Sequence, residues 1–392
     1  MSKRGENITK RKDGRWEARV LKGYKQDGQA IYKSLYALSY SAVKAKKREY
    51  MTLFNVEGLK KKDNSAFDAV LSLFLQYKKY QVKESTFACY TNLIDKHIRP
   101  ALGMMKTQTI DSVVIERFID EKLNNGRLDK QGGLSRKTVK DILTVLSLVL
   151  KYANNIGLMH ISRIHYSLPK IEKADIEIFT TEEETILTNF AVSSNDFQKF
   201  GICLALYTGL RIGELCALQW ENIDLERSLI FVKSTLMRIT NTDKQSKQKT
   251  KIIIDTPKSV AGKRAIPIPS FLLPKLYELY GDNKSNKTFF LTGTTAYIEP
   301  SNYYLKYQKW LQKMNLADHS FHALRHTFAT RCVESGFDVK TLSELLGHAD
   351  VNITLNRYVH SSLELKRANM EKLSRFYPQS ILQSECSETP YN

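Results

Sequence analysis

The sequence predicts a multidomain α+β protein. It reads as a small β-sheet module, then an all-helical segment, then a mainly helical segment holding a small antiparallel sheet. Three observations carry that reading. The chain has 392 residues and a hydrophobic fraction of 42%, enough for two or three cores. The apolar period is two near residue 16, turns helical after residue 40, and shortens again near residue 228. The charge is stepped: residues 1–63 hold 17 Lys+Arg against 7 Asp+Glu, residues 64–168 hold 15 against 9, and residues 169–392 hold 28 against 25.

In the first segment Trp16, Ala18 and Val20 alternate with Arg15, Glu17 and Arg19, which predicts a strand with Trp16 on its core side. Gln26 to Gln29 supply a turn, and "AIYKSLYA" a second strand. A helix capped at Ser39 or Ser41 follows. "KKKD", Lys60 to Asp63, is the expected linker. In the second segment Phe67, Val70, Leu71, Phe74 and Leu75 recur at helical spacing, as do Val139, Ile142, Leu143, Leu146, Val149 and Leu150, with Ser135 placed to cap. "SLPKIEKAD", Ser167 to Asp175, interrupts the pattern as a second linker.

The third segment opens with Thr181 and Glu184 spaced as a capping box. "SLIFV", "KIIID" and "KRAIPI" predict three strands, the last two forming a hairpin across "TPKSVAG". Helices resume at Phe271. The resulting domains are 1–63, 64–168 and 169–378, with a flexible polar tail at 379–392.

The formal charge of +19 selects a polyanionic partner, nucleic acid before an anionic membrane surface. Five scattered cysteines without a CxxC pair indicate neither a zinc site nor a disulfide framework. There is no signal peptide and no apolar run of membrane-spanning length, so a soluble cytoplasmic protein is expected. No cofactor or metal is expected.

Four stretches of the third segment concentrate chemistry. "YTGLRIGELCAL" places Arg211 and Glu214 three apart at a helix start, on one face. "SFHALRHTFATRCVESG" reads as a helix capped by Ser320 and ended by Gly336. His322 and Arg325 border its apolar stripe of Phe321, Leu324, Phe328 and Cys332, where they would edge the core and face a cleft, with His326 beside both. Lys258 occupies the expected hairpin turn, with Lys263 as its competitor. "LLGHADVNITLNRYVH" ends a helix at Gly347, follows it with His348, and carries Tyr358 on the next helix. Singly, each has an ordinary explanation: a surface ion pair, helix-surface polars, a solvated turn lysine, a packed tyrosine.

In order the motifs read R-x-x-E, K, H-x-L-R-H, then G-H ten residues before Y. This resembles the tyrosine recombinase (integrase) family over the whole third segment. The three-part layout resembles the phage and conjugative-transposon integrases, with an arm-binding domain, a helical core-binding domain and a catalytic domain. The resemblance implies catalytic roles for Arg211, Glu214, Lys258, His322, Arg325, His348 and Tyr358. Tyr358 would be the nucleophile, forming a covalent 3′-phosphotyrosine and preserving the backbone ester energy. Arg211 and Arg325 would neutralise the non-bridging oxygens. His322 would accept the tyrosine proton, Lys258 would protonate the leaving 5′-oxygen, His348 would bond the scissile phosphate, and Glu214 would hold Arg211 or His322.

The implied partner is double-stranded DNA at core and arm sites. Arg11, Lys12, Arg15 and Arg19 are the expected contacts of the strands, which could enter the major groove. Lys78, Lys79, Lys83, Arg136, Lys137 and Lys140 are the expected phosphate contacts of the helices. Ser361 and Glu364 pair as a capping box on a last helix carrying Leu365, Met370 and Leu373, which would pack on its own domain or, as the resemblance suggests, dock on a neighbouring protomer. A homo-tetramer with head-to-tail contacts would then close as a ring. A nucleoid-associated location and accessory DNA-bending or excision factors fit this reading. The competing readings are a non-catalytic DNA-binding or architectural protein on the same scaffold, which would not need all seven residues, and a type IB topoisomerase-like enzyme.

Overall fold

A computed structural model describes residues 7–11, 13–24, 30–60, 66–159, 165–167, 170, 176–243, 245–257, 260–281, 287–358, 367 and 370–371. Lys12, Lys258, Ser361, Glu364, Leu365, Leu373 and the tail lie outside the described residues. The chain divides into two compact units, Met1–Lys173 with Ile239–Lys251, and Ala174–Arg238 with Ile252–Asn392.

The first unit begins with an antiparallel sheet of β1 (Ile8–Lys10), β2 (Trp16–Tyr24) and β3 (Ala30–Ala37), followed by α1 (Tyr40–Lys60). β1 was not anticipated, because three residues are too few to display a period. Ala18 and Val20 are buried on one face of β2, as the alternation requires. Ile8, Ala18 and Val43 form a small core with Trp16, Leu35 and Tyr40 packed against it. Trp16 meets Tyr40 edge to face at 5.1 Å. Ser39 Oγ accepts the Ala42 N–H at 3.2 Å, so Ser39 is the cap.

The helical part comprises α2 (Phe67–Lys78), α3 (Glu84–Leu93), a π-helical turn at Ile94–Ile98, α4 (Arg99–Leu102), α5 (Ser112–Asn125) and α6 (Arg136–Asn155). Phe67, Val70, Leu71 and Phe74 of α2 share one core with Val139, Ile142, Leu143, Leu146, Val149 and Leu150 of α6, with Leu75 packed against it. Ser135 caps α6 by accepting the Thr138 N–H, as its position predicted.

The second unit contains α7 (Thr181–Val192), α8 (Phe197–Thr208), α9 (Ile212–Cys216), β4 (Ile223–Asp224), β5 (Leu229–Val232), most of β6 (Thr235–Thr240) and of β7 (Thr250–Asp255), whose ends at Ile239–Thr240 and Thr250–Lys251 fall in the first unit, β8 (Arg264–Pro267), α10 (Leu273–Gly281), α11 (Pro300–Lys313), α12 (Phe321–Glu334), α13 (Val339–Leu346) and α14 (Val351–Tyr358). Its core gathers Phe200, Trp220, Phe290, Tyr303, Tyr307, Phe321 and Leu324. α8 is buried from Phe200 to Leu206, so it is the central helix. Among the described residues no helix is long and apolar enough to cross a membrane.

Two sequence expectations need correcting here. "KIIID" and "KRAIPI" are not hairpin partners. β7 pairs with β6, whereas β8 pairs with β5 in the sheet ordered β4-β5-β8. The stretch between β7 and β8 therefore connects two sheets and contains a 3-10 turn at Val260–Gly262. β6 escaped notice because a nine-residue polar loop separates it from its partner, with no turn dipeptide to mark a hairpin. The capping box is also displaced by one residue. Thr180 Oγ1 accepts the Glu183 N–H at 3.2 Å, and Glu183 Oε2 accepts the Thr180 N–H at 2.9 Å. Glu184 instead pairs with Arg331 at 2.7 Å.

Thr180→Ala should destabilise the second unit by about 1 kcal/mol in denaturant unfolding, the usual worth of an N-cap. Thr181→Ala should change it by a few tenths of a kcal/mol at most.

Candidate active site

α12 supplies His322, and Arg325 and His326 three and four positions on, so all three share one face of the helix. Arg325 is a correction to the expectation that it edges the core: only 1% of it is exposed. Its Nη1–H donates to Gly209 O at 2.7 Å, and its Nη2 donates to Leu346 O at 2.5 Å. The same Nη2 lies 3.0 Å from His348 Nε2. A guanidinium has no acceptor, so His348 Nε2 must accept, and Nδ1–H donates to Thr354 Oγ1 at 2.8 Å. Ser320 precedes the helix in extended backbone, but its hydroxyl makes no capping bond.

Two left-handed glycines close this arrangement. Gly209 ends α8 at φ +65°, and an added Cβ would stand 2.7 Å from the Phe328 ring. Gly347 ends α13 at φ +64°, and an added Cβ would lie 3.0 Å from the Arg264 side chain. Both positions favour glycine on backbone and space together.

Arg211 precedes α9 and donates Nη1–H to Glu214 Oε1 at 2.7 Å, while its backbone N–H donates to Glu214 Oε2 at 3.0 Å. Glu214 is buried and is shared with a cation absent from the sequence reading. Arg264 donates Nη1–H to Oε1 at 3.1 Å and Nη2–H to Oε2 at 2.9 Å, and Nε–H to Leu345 O at 2.6 Å. Burial would raise the Glu214 carboxyl, but Arg264 and then Arg211 outweigh it and hold it near about 2. Only the neighbouring Lys263 was considered from the sequence, because one arginine at the head of a strand carries no local signal.

Tyr358 is buried at the end of α14, 7% exposed. Its Oη lies 2.7 Å from His326 Nδ1, so His326 and not the expected His322 holds the hydrogen-bond position beside the phenol. His326 Nε2 faces Arg357 Nη2 at 3.3 Å. Arg357 was also missed, although it directly precedes Tyr358. His322 meets His326 edge to face at 4.5 Å. With Arg211, Arg238, Thr235, Met237 and Ser301 it lines a cleft of about 400 Å³. Arg325, His348 and Tyr358 do not line that cleft.

The electrostatics follow from burial beside fixed cations. Burial and the Arg211 charge lower Arg325 to about 9, still protonated at neutral pH. His348 is pressed to about 4 by burial and then by Arg325, Arg211 and Arg264. His322 is open to the cleft on one side. Desolvation on the other side, then Arg325, Arg357 and Arg211, lower it to about 4. Burial, His322 and Arg357 take His326 to about 3. Burial raises the Tyr358 phenol above its ordinary value, and Arg325, Arg357 and Arg211 draw it part of the way back. The site is thus a cluster of cations and neutral imidazoles, suited to an anion. Among the described residues no group of three His, Cys, Asp or Glu side chains stands together as a metal-binding set.

The expected DNA contacts lie in the first unit. Arg11, Arg15 and Arg19 are exposed around the sheet. Lys79, Arg136, Lys137 and Lys140 are exposed on or beside the helices, and Lys78 and Lys83 are partly buried.

Residues 178–364 match the phage integrase family, and residues 66–123 match the phage integrase N-terminal SAM-like domain. The XerC-like tyrosine recombinase of Caldanaerobacter subterraneus is 29% identical over 381 residues, covering 91% of this chain and 95% of that protein. The fold is shared with the Tn1549 transposon integrase solved with a circular intermediate DNA, at a TM-score of 0.61 and 23% identity over 78% of this chain and 99% of that one. A λ integrase tetramer bound to a Holliday junction shares it at a TM-score of 0.54 and 16% identity, over 92% and 98%.

Two outcomes test the electrostatics. Glu214→Ala leaves the Arg264 guanidinium buried without its carboxylate, and should cost about 3–5 kcal/mol of stability in denaturant unfolding. The DNA-free protein should also lose thermal stability as pH falls from about 6.5 towards 4. An unfolded histidine titrates near about 6.5, so in this window the unfolded chain binds more protons than the folded one. His326→Asn should flatten that slope; a slope unchanged by the substitution contradicts a neutral His326.

Proposed function

The chain belongs to the tyrosine recombinase family, and on that premise we propose that it cuts and rejoins DNA through Tyr358. One observation carries the assignment of residues: Arg211, Arg325, His348 and Tyr358, scattered over 148 positions, meet in one cationic field. In the proposed reaction Tyr358 Oη attacks the scissile phosphorus. The new O–P bond forms as the P–O5′ bond breaks, giving a 3′-phosphotyrosine and a free 5′-hydroxyl. The 5′-hydroxyl of a second duplex reverses the step, so the backbone ester is conserved and the strands are exchanged.

Arg325 is preorganised for this work. Its bonds to two backbone carbonyls and His348 fix the guanidinium before substrate arrives, so little reorganisation is required in the transition state. Arg211 keeps 37% of its side chain accessible, and Glu214 fixes its direction. Together the arginines would stabilise the charge on the non-bridging oxygens. His348 would bond the scissile phosphate. His322, facing the cleft, would exchange the tyrosine proton with bound water. Lys258 would protonate the 5′-oxygen, from the connection between the two sheets of the catalytic unit.

We assign the three-part division 1–63, 64–168 and 169–378 to arm binding, core binding and catalysis. The outer face of the first sheet supports arm binding. There Glu17 and Arg19 of β2 lie opposite Tyr36 and Ser34 of β3, and Arg11 and Arg15, just before β2, lie over the Tyr36 ring at 5.4 and 5.6 Å. Lys12, next to Arg11 in the sequence, is included among the proposed DNA contacts. Arg136, Lys137 and Lys140 on the first turns of α6, with Lys78, Lys79 and Lys83 near the end of α2, would hold core-site phosphates. The integration and excision of a mobile element, a tetramer on DNA, and partner DNA-bending factors complete the proposal.

A nicked duplex carrying a site selected by the full chain from random DNA tests it. The wild type should become covalently joined to this DNA and Tyr358→Phe should not; an adduct with the Phe variant means another nucleophile. Arg211→Ala should slow adduct formation on the order of 10²-fold. Transfer of label between two duplexes distinguishes strand exchange from simple relaxation.

A further inference from the structure

His326 separates two functional side chains of α14. Its Nδ1 faces Tyr358 Oη at 2.7 Å and its Nε2 faces Arg357 Nη2 at 3.3 Å. Both ring nitrogens are therefore engaged, and only one can carry the hydrogen of a neutral imidazole. Arginine nitrogens have hydrogens and no acceptor, so Nε2 must be the accepting atom. The hydrogen of His326 is then on Nδ1, directed at the phenolic oxygen.

From this geometry we infer that His326 is a hydrogen-bond donor to the reacting oxygen of Tyr358, with its tautomer fixed by Arg357. The inference deepens the reading of Tyr358 as nucleophile and rests on it. It gives His326 a role opposite to that of a general base. A proton accepted by the ring would create an imidazolium with an N–H directed at the Arg357 N–H. That cation would also be surrounded by His322 and Arg325 on α12, His348 after α13 and Arg357 on α14. The depressed proton affinity of the ring agrees.

The chemical consequence concerns ionisation of the phenol. The Tyr358 O–H bond breaks and its proton passes to water. The oxygen retains the electron pair, and the Nδ1–H···O contact becomes charge-assisted. His326 gains and loses no proton. Its contact favours the phenolate. Arg357 is a positioning residue, acting through the ring; His326 touches the reacting atom.

The test needs no DNA. In full-length protein labelled with ¹⁵N-histidine, NMR should show His326 as the neutral Nδ1–H tautomer, its signals assigned by their loss in His326→Asn. Arg357→Leu should release the tautomer towards Nε2–H. An Nε2–H form in the wild type overturns the inference, and an unchanged tautomer in Arg357→Leu overturns the role of Arg357. A ¹³Cζ-tyrosine titration, assigned with Tyr358→Phe, gives the second readout. His326→Leu should raise the Tyr358 phenol by about one pH unit, a tenfold loss of phenolate at fixed pH. His326→Asn, whose amide nitrogen can occupy the place of Nδ1, should restore most of it. Equal shifts in both variants would reduce the contact to packing. If His326→Leu fails to fold, the wild-type tautomer decides. These signals report the hydrogen bond whether or not Tyr358 attacks phosphate, which the adduct assay decides separately.

Discussion

The buried carboxylate of Glu214 is the constraint on which the arrangement of the candidate site depends. It lies between two guanidiniums that come from different elements, Arg211 before α9 and Arg264 at the start of β8. Uncompensated, a carboxylate so far from water would be costly; with four charge-assisted bonds it becomes a fixed point. It sets the direction of Arg211, which stays partly open to a ligand. It also anchors Arg264, whose Nε–H reaches Leu345 O in the last turn of α13. The position of His348, immediately beyond that helix, is thus tied to the same ion pair. Glu214 acts on the site through these partners.

A second layer of order is imposed on the histidines. Each ring that meets an arginine must accept from it, so the tautomers of His348 and His326 follow from their neighbours. Burial and surrounding cations then keep the rings neutral. The DNA-free site has positive charge that it cannot relieve internally. A phosphate anion would reverse this balance by favouring the protonated forms, so substrate and histidine charge are coupled. The same field moderates the raised proton affinity of the buried Tyr358 phenol.

The sheet of the first unit uses a related device at a more exposed place. Glu17 is only 7% exposed. It accepts from Ser34 Oγ at 2.7 Å and from Arg11 Nη1 at 3.1 Å, and lies 3.4 Å from Arg19 Nε. An acidic residue in a basic module therefore organises the cations around it. Its neighbours on the face, Tyr32 and Tyr36, remain open to solvent.

Much of this was legible in the residues themselves. Period located α2, α6 and α12, because apolar residues recur along them at every third or fourth position, and Ser135 was legible as the cap of α6. Gly347 was legible as a stop because left-handed backbone favours glycine. The order R-x-x-E, H-x-L-R-H, G-H and Y identified the family, since those residue types at that spacing are jointly uncommon. What sequence alone could not determine was pairing across distance. Arg264 looks like any strand arginine until β8 aligns with β5 and carries it to Glu214. β6 and β7 become partners only across a long polar loop. His322 and His326 are equivalent candidates on one helix, and only the packing of α14 brings Tyr358 to the second. The sequence by itself determined the chemical inventory and the local elements, which depend on near neighbours. Tertiary structure decided which donor faces which acceptor, because hydrogen bonds between residues 20 to 150 positions apart depend on the final packing of helices and strands.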